Sequence, residues 1–208
     1  ATTGTAGDPG GGLVVRVEVS VDGGVTWNPA VGTNAWSFNW TPSAPGQAPI
    51  KSRAVDNTGN QQDPPAEITV TVRVPITIRV PSDQPTIQSA INVATFGDTV
   101  LVAPGTYFEN INFGRKAITV TSESGPQVTI IDGRNADPVV IFTSGEGRDS
   151  ILNGFTLQNG RSGFNNQGFG DGGGITVQRS SPTIKNNVIK NNQACHGGGI
   201  GIGFGSPL

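Results

Sequence analysis

Three observations predict an all-β fold in two unlike parts. The first is a partial repeat in the last third, where Gly172-Gly173-Gly174-Ile175 returns as Gly197-Gly198-Gly199-Ile200. The second is an echo beside it: Ile151-Leu152-Asn153-Gly154-Phe155-Thr156-Leu157-Gln158-Asn159-Gly160 is answered by Pro182-Thr183-Ile184-Lys185-Asn186-Asn187-Val188-Ile189-Lys190-Asn191-Asn192. The third is strict alternation near the N-terminus, with Val15, Val17, Val19 and Val21 on one side and Val14, Arg16, Glu18 and Ser20 on the other. A period of two is that of a half-buried strand, because successive side chains leave opposite faces of the backbone.

The repeat sets the architecture of the C-terminal part. The Gly-rich segments lie 25 residues apart and the Asn-rich segments 32 apart, and the seven extra residues sit between Ser162 and Asp171. A fixed period with one local insertion describes stacked units that each bury their apolar side only against a neighbour. Short apolar strands broken by Gly and Asn turns make those units β, so the expectation is a parallel β-solenoid.

Composition narrows the partners. Gly (31) and Pro (15) together exceed a fifth of the 208 residues, which in a chain with regular Val/Ile beats means many turns. Charged residues are 13% and the net charge is −2, so nothing draws in nucleic acid or an anionic membrane. Asn, Gln, Ser and Thr supply the polar surface instead, which suits neutral hydrogen-bonding ligands such as glycans. There is no apolar run of membrane-spanning length, and no direct membrane insertion is expected of this stretch. The lone Cys195 excludes an internal disulfide. The chain has no Met, opens on Ala1 and stops where another repeat is due, so it reads as a fragment of a longer protein. A solenoid cut there exposes its last coil, through which aggregation or dimerisation is expected.

Along the chain, residues 1–12 are aperiodic and read as a flexible segment. Residues 13–75 carry five strand patterns: the alternating run above, Val25-Thr26-Trp27 after an Asp22-Gly23-Gly24 turn, a stretch with Trp36, Phe38 and Trp40 on one face, Ile50–Val55, and a last one with Ile68, Val70, Val72 and Val74 on one face. Strands of this spacing with aromatic anchors predict an immunoglobulin-like β-sandwich, held together without cysteines by Trp and Phe burial. Residues 76–208 hold one helix, about 85–95, with Ile87, Ala90, Ile91 and Ala94 on one face and Asp83 or Gln84 as its cap. Beats then follow at Ile111, Phe113, Ile118, Val120, Ile130, Val140, Phe142 and Leu152. The helix is expected to cover the open end of the first coil.

Two resemblances accompany this reading. Val17–Trp27, Trp36–Pro42 and Lys51–Asn60 are similar to bacterial immunoglobulin-like accessory domains, which implies a spacer or docking module without catalytic residues. Thr86–Ile91 together with Gly97–Tyr107 resembles the N-terminal cap and first coil of right-handed parallel β-helix proteins of the pectin-lyase-like superfamily, and the Gly-Gly-Gly-Ile and Asn-Asn repeats resemble motifs of polymorphic outer-membrane proteins. These resemblances imply an extracellular or cell-surface location. Enzymes, adhesins and surface proteins share the scaffold, so the fold does not select among them.

Candidate chemistry is sparse. Ser20-Val21-Asp22-Gly23-Gly24-Val25-Thr26-Trp27 fits the Asp-box pattern, read here as a turn whose carboxylate accepts backbone N–H groups. A glycosidase needs two carboxylates facing one bond, and a calcium-dependent lyase needs several around one ion plus a base. The acids of the solenoid part are Asp83, Asp98, Glu109, Glu123, Asp132, Asp137, Glu146, Asp149 and Asp171. Of these, Asp149 and Asp171 are close to one coil apart but both read as turn residues, so no catalytic residue is assigned. His196 and Cys195 lack the further ligands of a zinc site. Neither metal nor cofactor is expected, and the Gly runs lack the Lys-Ser/Thr of a phosphate loop. Asn186, Asn187, Asn191 and Asn192 read as coil-corner residues bonding the neighbouring coil. The insertion is the best binding candidate: Phe164 and Phe169 can stack on a sugar face while Asn165, Asn166, Gln167 and Asp171 bond its hydroxyls. The leading expectation is thus a non-catalytic surface protein for adhesion or for binding a polysaccharide or cell-surface glycan. The alternative is a polysaccharide lyase or glycoside hydrolase whose catalytic coils lie beyond residue 208.

Overall fold

In unit one of the two into which the chain divides, Ala1–Val74, every strand pairing is antiparallel. A computed structural model describes residues 1–8, 12–163, 172–195 and 197–203. The strands of this unit are β1 (Thr2–Thr5), β2 (Val14–Ser20), β3 (Asn28–Pro29), β4 (Val31–Gly32), β5 (Ala35–Phe38), β6 (Gly46–Asp56) and β7 (Ala66–Val72), arranged in two sheets of order β1-β5-β4 and β3-β2-β6-β7. Thr2–Thr5, aperiodic by sequence, is held as a strand by its partner: it pairs with β5 in the register Thr2↔Phe38 to Thr5↔Ala35. Gly4 allows this, since a Cβ there would overlap the Trp36 ring.

The interior of this unit is small. Val17, Val19, Ile50 and Val55 are buried, whereas Trp27, Trp36 and Trp40, expected as buried anchors, are only half-buried. Val15 breaks the alternation and is 49% exposed, because the ladder from β2 to β6 slips between Val14 and Arg16. A bulge of this kind carries one extra residue and throws it out of phase. Part of the missing apolar packing is supplied by stacked charge: the Arg53 guanidinium lies 4.1 Å above the Trp27 ring and 2.7 Å from Glu18, which also meets Arg16 at 2.8 Å. Burial works against the Glu18 carboxylate, but the two guanidiniums outweigh it and hold its pKa low.

The second unit, Pro75–Leu208, begins with β8 (Thr77–Val80) and α1 (Ile87–Val93). Twelve short strands follow: β9 (Thr99–Val102), β10 (Gly105–Tyr107), β11 (Ile111–Asn112), β12 (Thr119–Ser122), β13 (Thr129–Asp132), β14 (Val140–Phe142), β15 (Ile151–Asn153), β16 (Thr156–Gln158), β17 (Ile175–Val177), β18 (Thr183–Lys185), β19 (Val188–Lys190) and β20 (Ile200–Ile202). The chain visits three sheets in fixed rotation. Sheet one is β8-β9-β12-β15-β18, sheet two β10-β13-β16-β19 and sheet three β11-β14-β17-β20, and every pairing is parallel.

The apolar beats line up along these ladders. Val100, Val120, Leu152 and Ile184 stack in sheet one, Tyr107, Ile131, Leu157 and Ile189 in sheet two, and Ile111, Val140, Ile175 and Ile200 in sheet three. Most of these are fully buried and belong to one continuous core, with Phe113 and Phe142 in contact between successive turns at 4.4 Å. Parallel strands need a long connection back to the same sheet, and here that connection is the path through the other two sheets. One beat differs from expectation: Ile130 is half-buried and faces outward, while Ile131 takes the interior row. Register against Tyr107 and Leu157 decides the phase, and two adjacent isoleucines hide it from a sequence reading.

The helix covers one end of this core with Ile87, Ala90 and Ile91 and packs on β8, β9 and β11. It starts two residues later than expected and is capped by neither Asp83 nor Gln84. Thr86 Oγ1 accepts from the Ser89 N–H at 3.0 Å, and the Ser89 Oγ accepts from the Thr86 N–H at 3.2 Å, a reciprocal capping box. Asp83 is engaged elsewhere, accepting the Arg79 N–H at 2.8 Å. Both helix ends are also met by charges from the following coil. The Glu109 carboxylate accepts the Ile87 and Gln88 N–H groups, each at 2.9 Å, and the Lys116 ammonium donates to the carbonyls of Ile91, Asn92 and Ala94 at 2.6–2.8 Å. Anion at the N-terminus and cation at the C-terminus is the favourable match to the helix dipole.

Candidate ligand-binding flank

Three acids of the second unit, Asp98, Glu146 and Asp132, are engaged by backbone and side-chain donors. Asp98, fully buried, accepts the Ile76 and Thr95 N–H groups at 2.8 Å each. Glu146 is 2% exposed and sits in the connection between sheets three and one. It accepts the Arg115 N–H (2.9 Å) from the coil before, the Ser144 N–H (2.8 Å) from its own coil and the Ser180 hydroxyl (2.7 Å) from the coil after. Burial opposes its ionisation, yet these donors outweigh burial and keep the pKa below the ordinary carboxylate value. Asp132 is handled in the same way: burial raises its pKa, and the Gln158 amide (3.0 Å), the Arg134 N–H (2.9 Å) and the Asn159 amide (2.7 Å) bring it below normal. Carboxylates bonded like this stay ionised and make poor general acids. Asp149 lies in an exposed turn, and Asp171 lies outside the described residues.

Asparagines build the corners. Gly154 and Asn186 occupy the same place in successive coils with φ of 83° and 56°, as do Asn159 and Asn191 at 53° and 55°. Among side-chain-bearing residues Asn tolerates this left-handed backbone best. Its amide then reaches the adjoining coil: Asn187 accepts the Phe155 N–H at 2.8 Å and donates to the Leu152 carbonyl at 3.1 Å, and Asn192 does the same with the Gly160 N–H (2.7 Å) and the Leu157 carbonyl (3.0 Å). A side-chain ladder runs Thr121–Asn153–Asn186 with spacings of 2.8 and 2.9 Å.

The insertion belongs to the corner between sheets two and three. Arg161 bridges Gln193 and Gly172 bridges Gly197, both in parallel sense, so the extra residues are confined between 161 and 172. Phe164, Asn165, Asn166, Gln167, Phe169 and Asp171 all lie outside the described residues. Around their attachment, the same corner carries a group that sequence reading missed. Phe108 follows β10 and is 54% exposed, with the Arg134 guanidinium 4.2 Å from its ring centre. Beside it Asp132, Gln158 and Lys190 stand opposite one another on β13, β16 and β19. The signal was available in principle: strand spacings of 24, 26 and 32 residues in sheet two bring these positions into line, but only once the register is known. An exposed ring, a guanidinium and a row of amide and ammonium groups can stack on a sugar face and bond its hydroxyls.

In the first unit the Asp-box is a closed turn. Asp22 accepts the Val25 N–H (3.0 Å), the Thr26 N–H (2.9 Å) and the hydroxyls of Thr26 and Ser20 (2.5 and 2.7 Å), and the Trp27 indole donates to the Gly24 carbonyl at 3.1 Å. Led by the Thr26 hydroxyl, these donors pull the Asp22 pKa far below normal. Asp56 organises the following turn likewise, taking the hydroxyl and N–H of Thr58 and the amide and N–H of Asn60, each at 2.8 Å, and its pKa falls to about 2. A cleft of about 450 Å³ beside this turn is lined by Thr5, Asp8, Asp56, Asn60, Gln62 and Asp63. No set of three or more His, Cys, Asp or Glu is placed to hold a metal ion among the described residues. Cys195 is exposed and unpaired with another cysteine. Comparison of the chain with protein-family models, curated proteins and solved structures finds no match.

Proposed function

We propose that this chain is an immunoglobulin-like sandwich followed by the capped coils of a right-handed parallel β-helix, and that it binds polysaccharide or cell-surface glycan at the corner between sheets two and three without transforming it. The observation that carries the reading is the exposed Phe108–Arg134 pair standing beside Gln158 and Lys190 on the flank that also bears the insertion. Three further features support it. Low charge favours a neutral or weakly charged ligand. Asp132 and Glu146 are committed to neighbouring coils. The insertion between residues 161 and 172 contains two more phenylalanines and three amides. An extracellular or cell-surface location goes with this role.

The test is glycan-array and calorimetric binding with the whole chain, its Phe108→Ala variant and a Phe164→Ala/Phe169→Ala variant. Stacking of this kind contributes roughly 1 kcal/mol or more per ring, so each variant is expected to weaken binding at least about fivefold. Absence of binding across neutral and acidic glycans, or binding that both variants leave unchanged, contradicts the reading. Release of unsaturated or reducing ends from a polysaccharide would instead favour a lyase or hydrolase.

A further inference from the structure

β7 ends its sheet: the order β3-β2-β6-β7 leaves the outer edge of Ala66–Val72 without a strand among the described residues. The groups on that edge follow from the ladder. In β6 the N–H and C=O of Ala54 both meet Gln62, on the side away from β2, so the even-numbered residues of β6 address β7. Pro49, which has no N–H to give, falls on the other set, as a strand proline must. The register Ala48↔Val70 and Ile50↔Ile68 therefore turns the amides of Ile68, Val70 and Val72 toward β6. Glu67, Thr69 and Thr71 present theirs outward.

The strand is also self-complementary. Around Val70 the sequence runs Glu67-Ile68-Thr69-Val70-Thr71-Val72-Arg73, symmetric in apolar and polar positions and opposite in charge at its ends. Natural edges are usually protected by a lysine, a proline or a bulge. This one has none of these along its length, and Ile68 on it is 59% exposed.

We propose that β7 pairs antiparallel with β7 of a second copy about a two-fold axis through Val70, joining the two sheets edge to edge. This arrangement sets Val70 against Val70 of the partner subunit, Ile68 against Val72 of the partner subunit, and Thr69 against Thr71 of the partner subunit. Glu67 then faces Arg73 of the partner subunit, and Lys51, already 3.4 Å from Glu67, extends the alternation of charge. Every cross-strand pair is a favourable one, and the outward amides of Thr69 and Thr71 meet their complements. A parallel pairing would set Glu67 against itself, and a two-residue slip would set it against threonine. Closed two-fold pairing of like surfaces is the commonest form of homo-oligomer, and an interface of one strand edge is small, so the dimer forms with concentration.

Sedimentation equilibrium of the whole chain from micromolar to millimolar concentration tests this, using Glu67→Arg, Arg73→Glu, the double reversal and Thr71→Pro. The expected result is a reversible dimer whose Kd rises about tenfold or more in either single reversal and returns to within about threefold of the parent in the double. Thr71→Pro, which removes an outward N–H and leaves the ladder to β6 intact, is expected to abolish it with the circular dichroism spectrum unchanged. A monomer at all concentrations overturns the proposal. So does a dimer with the same Kd in every variant, as pairing through the open coil end would give, or a double reversal that fails to recover.

Discussion

Glu146 shows at the residue scale how stacked parallel strands use a carboxylate. It is too buried to be left unpaired, and donors from three consecutive coils converge on it. Removing it leaves those donors buried without an acceptor, which costs about 1–3 kcal/mol. Glu146→Ala is accordingly expected to lower stability in urea unfolding by about that amount. Because the Glu146 and Asp132 pKa values are lowered on folding, their contribution is complete above the unfolded carboxylate range. It is lost as pH falls through the folded values. Stability is thus expected to drop on acidification below about pH 4, and Glu146→Gln should flatten part of that drop; a stability that rises toward low pH contradicts the assignment. Thr129 is the converse case, with a buried hydroxyl that finds no partner among the described residues. Thr129→Val keeps the shape and removes that group, so thermal unfolding should show no loss and a gain of up to about 1 kcal/mol. Neither residue was singled out from the sequence as a structural anchor. A buried acid and a solvated turn acid look alike until the coils are stacked.

The elements were legible in proportion to how local their causes are. The helix was readable from Ile87, Ala90 and Ile91, and its capping box of Thr86 with Ser89 is local although Asp83 or Gln84 was expected there; the charges at its two ends were not readable, because Glu109 and Lys116 arrive from the next coil. Substituting Lys116 with Met keeps the apolar stem and leaves three helix carbonyls without their ammonium. The expected outcome is faster hydrogen exchange at the Ala90 and Ala94 amides, by about tenfold, with the rest of the core little changed. Uniform protection across α1 in that variant would show that the ammonium does not hold the helix end. The N-terminal strand was missed for a related reason. Thr2–Thr5 has no pattern of its own and is ordered by β5 and by the fit of Gly4 on Trp36. The corner asparagines were expected to bond the neighbouring coil, and Asn186, Asn187 and Asn192 do so; the left-handed backbone of Asn186 and Asn191 is a further property of the residue itself.

Across the whole molecule, the repeat carried most of the information. Gly172 and Gly197, alike in sequence, are bridged in space, and the insertion falls where the two periods disagree. The insertion stands out in the sequence by length, whereas Phe108 and Arg134 come together only through a register that no local pattern states. Everything proposed for the flank, and the roles of Glu146, Lys116 and the corner amides, depends on three parallel sheets visited in turn. The segment Leu152-Asn153-Gly154-Phe155 offers the sharpest alternative, since Asn-Gly between apolar residues is also a strong two-residue hairpin signal. Nuclear Overhauser contacts of the Leu152 backbone separate the two. Parallel stacking predicts cross-strand contacts from Leu152 to both Val120 and Ile184; contacts pairing Leu152 with Phe155 across an antiparallel ladder would contradict it.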